Sequence, residues 1–215
     1  MSMQSKHFAL FVAASMLVFP SSSVSAWATR SHEDLPKFAQ VSEILYRGGQ
    51  PTKAGLEELK NRGIKTVVSL RHNKNQTLTE SNEAKELGLN FKSLPMDGLH
   101  KPTPAQVKLF FKTVQDTENQ PVFVHCEWGM DRTGVMVALY REEYDHWGAK
   151  KAYDEMVKMG FEKKYIWFAD SVFDYEAAKN GYASKERPVS VRMLDMYDST
   201  VKWRPGSKSK VNEKQ

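Results

Sequence analysis

Cysteine is almost missing from this chain: its 215 residues contain one, Cys126. That excludes an intramolecular disulfide and any cysteine-rich metal site. The six histidines show no ligand spacing, so neither a metal nor another cofactor is expected. Long hydrophobic runs are lacking as well. The apolar stretch from Phe8 to Phe19 is too short to cross a bilayer. An excess of one charge is also lacking in the body of the chain. The formal net charge is +5, but residues 185–215 hold eight basic and four acidic side chains. With Lys6 set aside, the remainder is balanced, so the basic character belongs to the tail and no nucleic-acid partner is expected. No internal repeat is visible, and the length suits one domain with a substantial core.

What is present begins with an export signature. Lys6 and His7 precede the apolar stretch, and Pro20, a serine run and Val24-Ser-Ala26 follow it. A charged start, a short apolar core and small residues at −3 and −1 predict a signal peptide over residues 1–26. The mature protein is then expected to be periplasmic or secreted, with no transmembrane segment. Residues 27–40 read as a polar lead-in, 41–184 as the folded domain, and 185–215 as a basic, flexible tail. In an oxidising compartment a lone thiol is a liability unless it has a task.

The task is written around it. Residues His125 to Gly134 read His-Cys-Glu-Trp-Gly-Met-Asp-Arg-Thr-Gly, with five residues between Cys126 and Arg132. Before this run, Pro121-Val-Phe-Val124 has the apolar, β-branched character of a buried strand. After it, Val135, Met136, Leu139 and Tyr140 fall at helical spacing. Strand, tight loop and helix start therefore follow one another. A helix N-terminus offers unpaired N–H groups and partial positive charge to a phosphate dianion. The same field, with Arg132 nearby, favours a thiolate at Cys126.

Further elements alternate along the chain. Ile44–Tyr46, Ile64–Leu70, Leu89–Leu94 and Val122–Val124 read as strands. Thr52–Arg62 reads as a helix with Thr52 as its cap and Gly63 as its stop. Thr79–Leu87 reads as a second helix, and Thr103-Pro-Ala-Gln106 as a capping box opening a third, to about Gln115. Helices near 133–146, 149–159 and 164–179 close the domain. This order predicts an α/β fold with a mainly parallel central sheet. Ligands gather at the carboxyl edge of such sheets, where the loops Arg71–Thr77, Pro95–Pro102 and Cys126–Arg132 should meet.

His-Cys-(five residues)-Arg-Thr-Gly resembles the signature loop of the cysteine-dependent phosphatases of the protein tyrosine phosphatase superfamily. Leu45-Tyr-Arg-Gly-Gly-Gln-Pro51 and Gly63-Ile-Lys-Thr-Val-Val-Ser-Leu-Arg71 are similar to the opening of its compact dual-specificity-like branch, found in plants, fungi and bacteria. Tyr140-Arg141 through Trp147 and on to Gly160-Phe161 is similar to the closing helices of the bacterial members. The likeness runs from about Ile44 to Tyr175. Some relatives in this branch act on inositol polyphosphates or pyrophosphates, and Cys126-Glu127 is similar to the pair in bacterial phosphatase-fold phytases.

The resemblance implies the cysteine-phosphatase fold and two-step phosphoryl transfer through Cys126. Arg132 and the amides of Glu127, Trp128, Gly129 and Met130 would hold the phosphoryl oxygens. Thr133 would donate its hydroxyl to the sulfur, and His125 would order the loop. Two carboxyls compete for the role of general acid. Asp97 lies 29 residues before the nucleophile, near where relatives carry theirs. Asp131 lies inside the loop, as in the myotubularin-like phosphatases. Arg71, His72, Lys74, His100 and Lys101 are candidate rim residues for further phosphates. Glu127 and Met130 stand where phosphoinositide phosphatases carry lysines, and Trp128 is either a pocket wall or a packing residue. The expected reaction is hydrolysis of phosphate monoesters, inositol polyphosphates first. The alternative is a protein tyrosine or dual-specificity phosphatase acting on phosphoproteins.

Overall fold

The computed structural model describes residues 33–181. The expected signal peptide and the tail from residue 185 lie outside the described residues. Five strands form one sheet in the order β1-β2-β5-β3-β4: β1 (Ala39–Gln40), β2 (Leu45–Gly48), β3 (Thr66–Ser69), β4 (Asn90–Ser93) and β5 (Val122–His125). Only β1 runs antiparallel to its neighbour. The α/β fold with a mainly parallel sheet is thus as expected from the strand–helix alternation. The crossover helices are α1 (Lys53–Asn61), α2 (Lys74–Glu86) and α3 (Pro104–Gln115), and α4 (Asp131–Tyr144), α5 (Ala149–Lys158) and α6 (Ile166–Lys179) are the last helices of the described residues.

Alternation along the strands divides the core between the two sheet faces, because successive side chains point to opposite sides. Val122 and Val124 of β5 join Leu45, Val68 and Leu70 beneath α3 to α6. Phe123, between them, joins Val67, Leu56 and Leu59 under α1 on the other face. Helix α4 is buried on every side from Thr133 to Tyr140, as a helix apolar all round must be. Gly134 permits its approach to α5: a Cβ there would stand 2.8 Å from Met156 Cγ.

Caps set the helix starts as the sequence indicates. Thr52 accepts the Gly55 amide, and Thr103 and Gln106 form the reciprocal capping box. Two boundaries differ from expectation. Helix α2 starts at Lys74, capped by Asn73, rather than at Thr79. Its inward face is Thr77, Glu80 and Ala84, with Leu78 turned to solvent, so no apolar period marked its first turn. The domain also starts earlier than residue 41. Leu35 is buried, the Asp34 carbonyl accepts the Thr52 amide and the Pro36 carbonyl accepts the Gly49 amide, so part of the lead-in belongs to the fold.

Candidate active site

The three expected loops do meet at the carboxyl edge of β3, β4 and β5. The Leu70 amide donates to the His125 carbonyl, and the Met96 amide donates to the Leu70 carbonyl. Arg132 Nη1 lies 3.5 Å from both the Met96 carbonyl oxygen and His72 Nδ1. Cys126 follows β5 directly and is buried. Five residues later α4 begins at Asp131, and Met130 at its N-cap supplies no side-chain hydrogen bond. The orphan N–H groups of the first turn are therefore left without a side-chain acceptor, in an orientation that suits an anion.

The outer face of the loop is held tightly. His125 Nδ1 lies 3.0 Å from the Cys126 carbonyl oxygen. The other ring nitrogen lies 2.8 Å from Glu80 Oε1, and both residues are buried. The Gln50 amide donates to the Glu127 carbonyl at 3.0 Å. Arg47 Nη2 donates to the Gly129 carbonyl at 2.9 Å. Gly129 has φ +71°, and a Cβ there would stand 2.5 Å from the Gly48 carbonyl carbon. Only glycine fits this backbone at this approach.

Several expected site residues sit differently from the reading above. The Thr133 hydroxyl, expected to donate to the sulfur, is buried and donates to the Gly48 carbonyl at 3.4 Å. Arg71, expected on the rim, is 7% exposed: Nη1 donates to Gln50 Oε1 at 2.7 Å and Nη2 to Gln76. Its Nη2 also lies 3.6 Å from Glu127 Oε2, which ties it to the loop. Lys101 turns away onto α6, 2.8 Å from Asp174 Oδ2 and 3.7 Å from Asp170 Oδ2. There it lines a separate cavity of about 870 Å³ between α3 and α6, with Val107, Phe111 and Tyr175. Lys74 opens α2 with an exposed side chain. Trp128 is 65% exposed, which excludes a packing role.

The two acid candidates have opposite electrostatics. Asp97 is exposed, and its carboxylate accepts the Leu99 and His100 amides at 2.9 Å and faces His100 Nδ1 at 2.8 Å. The bond from the His100 ring, then that from Leu99, holds its carboxyl below the usual range. Burial pushes the Asp131 carboxyl up, partly offset by the bond it accepts from the Glu162 amide at 3.0 Å. His100 is thus bound to Asp97 and not free on the rim.

Sequence reasoning missed Arg47, Gln50 and Glu80. For Arg47 a signal existed: an arginine at the same alternation as Leu45 in a short buried strand needs a buried partner. Gln50 and Glu80 carried no local signal.

Residues 19–169 match the family described as "DSP-PTPase phosphatase fused to NAD+ Kinase". The chain belongs to this family. Among curated relatives it is 33% identical to NAD kinase 2, chloroplastic, of Arabidopsis thaliana over 121 residues, covering 54% of this chain and 12% of that protein. It is 26% identical over 151 residues to inositol diphosphatase DSP2 of Oryza sativa subsp. japonica, covering 60% of this chain and 72% of that one. The chain therefore spans a small fraction of the plant NAD kinase and most of the shorter relative. The crystal structure of the core catalytic domain of the PP-IP phosphatase SIW14 from S. cerevisiae superposes with a TM-score of 0.58 at 22% identity. That superposition covers 69% of this chain and 94% of the other, and it shows the shared phosphatase fold.

Proposed function

We propose that the chain is a cysteine-dependent phosphatase that hydrolyses phosphate monoesters, with inositol polyphosphates as substrates, after export from the cytoplasm. One observation carries the chemistry: a buried cysteine opens a loop that ends on a helix N-terminus without a side-chain cap, with Arg132 in the first turn. In the first step Cys126 Sγ forms a bond to phosphorus and the ester P–O bond breaks. The leaving alkoxide takes a proton from a carboxylic acid. In the second step water forms the new P–O bond, its proton returns to that carboxylate, and the S–P bond breaks. Charge on the equatorial oxygens is met by the Arg132 fork and the loop amides.

Asp97 supplies the proton on this reading, because its loop lies against Arg132 through Met96. Its carboxylate must first leave the turn over Leu99 and His100. Asp131 is the second candidate, favoured by the upward push on its carboxyl. The substrate class rests on the family and on the rice relative named inositol diphosphatase. Exposed His72, against Arg132, and exposed Lys74, at the start of α2, are the side chains available for further phosphates. Export rests on the N-terminal pattern alone.

The deciding experiment is phosphate release from inositol hexakisphosphate, a phosphotyrosine peptide and an aryl phosphate, with Cys126→Ser as control. Release from the inositol substrate, lost in the control, is expected. Turnover of the peptide without the inositol substrate would replace the substrate class with phosphoproteins. Export is tested by N-terminal sequencing of the protein recovered outside the cytoplasm, which should begin at Trp27.

A further inference from the structure

An anion cradle made of backbone turns its N–H groups inward, so its carbonyls need donors on the other side. Three carbonyls of this loop have such donors: Cys126 has His125, Glu127 has the Gln50 amide, and Gly129 has Arg47. The first is local and the second is backbone. Only the third spends a full charge. Arg47 is 2% exposed, in β2 between Ala39 and Val124 of the neighbouring strands. Burying a cation costs several kcal/mol, roughly, unless it is well paired.

The pairing of Arg47 is incomplete. Its Nε and Nη1 have no hydrogen-bond partner among the described residues. Glu155 of α5 is the acidic side chain that most favours its charged form, and Glu155 is committed to Arg141 at 2.7 and 3.1 Å. Arg141 of α4 repels it. Burial lowers the guanidinium to about 10, so it stays charged at neutral pH. A residue serving only to fill this space would be better as leucine or methionine, which would leave no buried charge.

We propose that Arg47 is a positioning residue for the phosphoryl site, holding the Gly129 carbonyl outside the loop so that the amides on its inner side face the anion. The inference rests on the phosphatase reading. It assigns Arg47 a role distinct from that of Arg132: Arg132 touches the phosphoryl oxygens, whereas Arg47 acts through the peptide at Gly129.

The test uses the full mature chain with Arg47→Met and Arg47→Lys. Oxyanion affinity is measured by tungstate titration in a Cys126→Ser background, beside kcat and KM for an aryl phosphate and the melting temperature. Arg47→Met should weaken tungstate binding and lower kcat by about 10- to 100-fold each, at or below the low end of the loss of an oxyanion donor, because it acts through the peptide and not on the anion. Arg47→Lys, which keeps the charge and one donor, should recover part of both. If Arg47→Met does not fold, Arg47→Gln is judged by the same criteria. Unchanged tungstate affinity and kcat with only a lower melting temperature would reduce Arg47 to a structural role. A native chain that releases no phosphate from any substrate would instead bring down the phosphatase reading itself, and this inference with it.

Discussion

Beneath the Cys126 loop, carbonyls and side chains are held by partners drawn from β2, α2 and the segment between β2 and α1. On the rim above it, Asp97 and His100 bind each other in solvent and Trp128 stands free of the core, while Lys101 has left the rim for α6. The floor gathers residues distant in sequence, such as Arg47 and Gly129, whereas the Asp97 turn closes within three residues. The difference has a physical cause. A phosphate cradle works only if its amides are already oriented, so reorganisation cannot be left to the moment of reaction. A general acid and a substrate rim tolerate movement, and the weak, local bonds of the Asp97 turn permit it.

Cys126→Ser should break the floor chemically while leaving its shape. Turnover falls to background, and tungstate still binds by calorimetry. Neutralising the acid comes next. Asp97→Asn should slow an alkyl phosphate by about 10²–10⁴-fold and an aryl phosphate much less, because only the alkoxide needs the proton. Should Asp131→Asn show that selectivity instead, the acid lies on the floor side and the contrast with the rim is redrawn. Arg132→Lys should cost on the order of 10²–10³ in kcat, read in steady-state kinetics, because one ammonium cannot replace the planar fork.

Gly129→Ala tests whether the floor tolerates any strain. With positive φ and a Cβ against Gly48, it should lose at least about 1–3 kcal/mol in chemical denaturation, and oxyanion affinity with it. At the other extreme, Lys101→Ala removes part-exposed ion pairs with Asp170 and Asp174. Stability should change by about 0–1 kcal/mol, and kcat/KM should be unaltered. A clear loss of kcat/KM there would place Lys101 back on the rim.

How much of this was legible before folding depended on whether the signal was local. The helix starts at Thr52 and Thr103, the stop at Gly63 and the strand before Cys126 are all read from neighbours within a few residues. The first turn of α2 escaped because polar Thr77 and Glu80 occupy its inward face. The short β1 escaped because two residues carry no period. Arg71 and Lys101 look alike as exposed cations next to the expected loops, yet one is buried against Gln50 and Gln76 and the other reaches α6. Charge in a sequence does not state its direction.

The sequence by itself determined the strand–loop–helix unit, the place of the candidate nucleophile and its arginine within it, and the parallel α/β order, since each follows from adjacency and period. Only the tertiary structure decided which groups stand behind the loop. Arg47 reaches Gly129 across 82 positions, and Gln50 reaches Glu127, because the pairing of β2 with β5 places their carboxyl ends side by side. Long-range sheet pairing brings such donors and acceptors together at distances that no local spacing encodes.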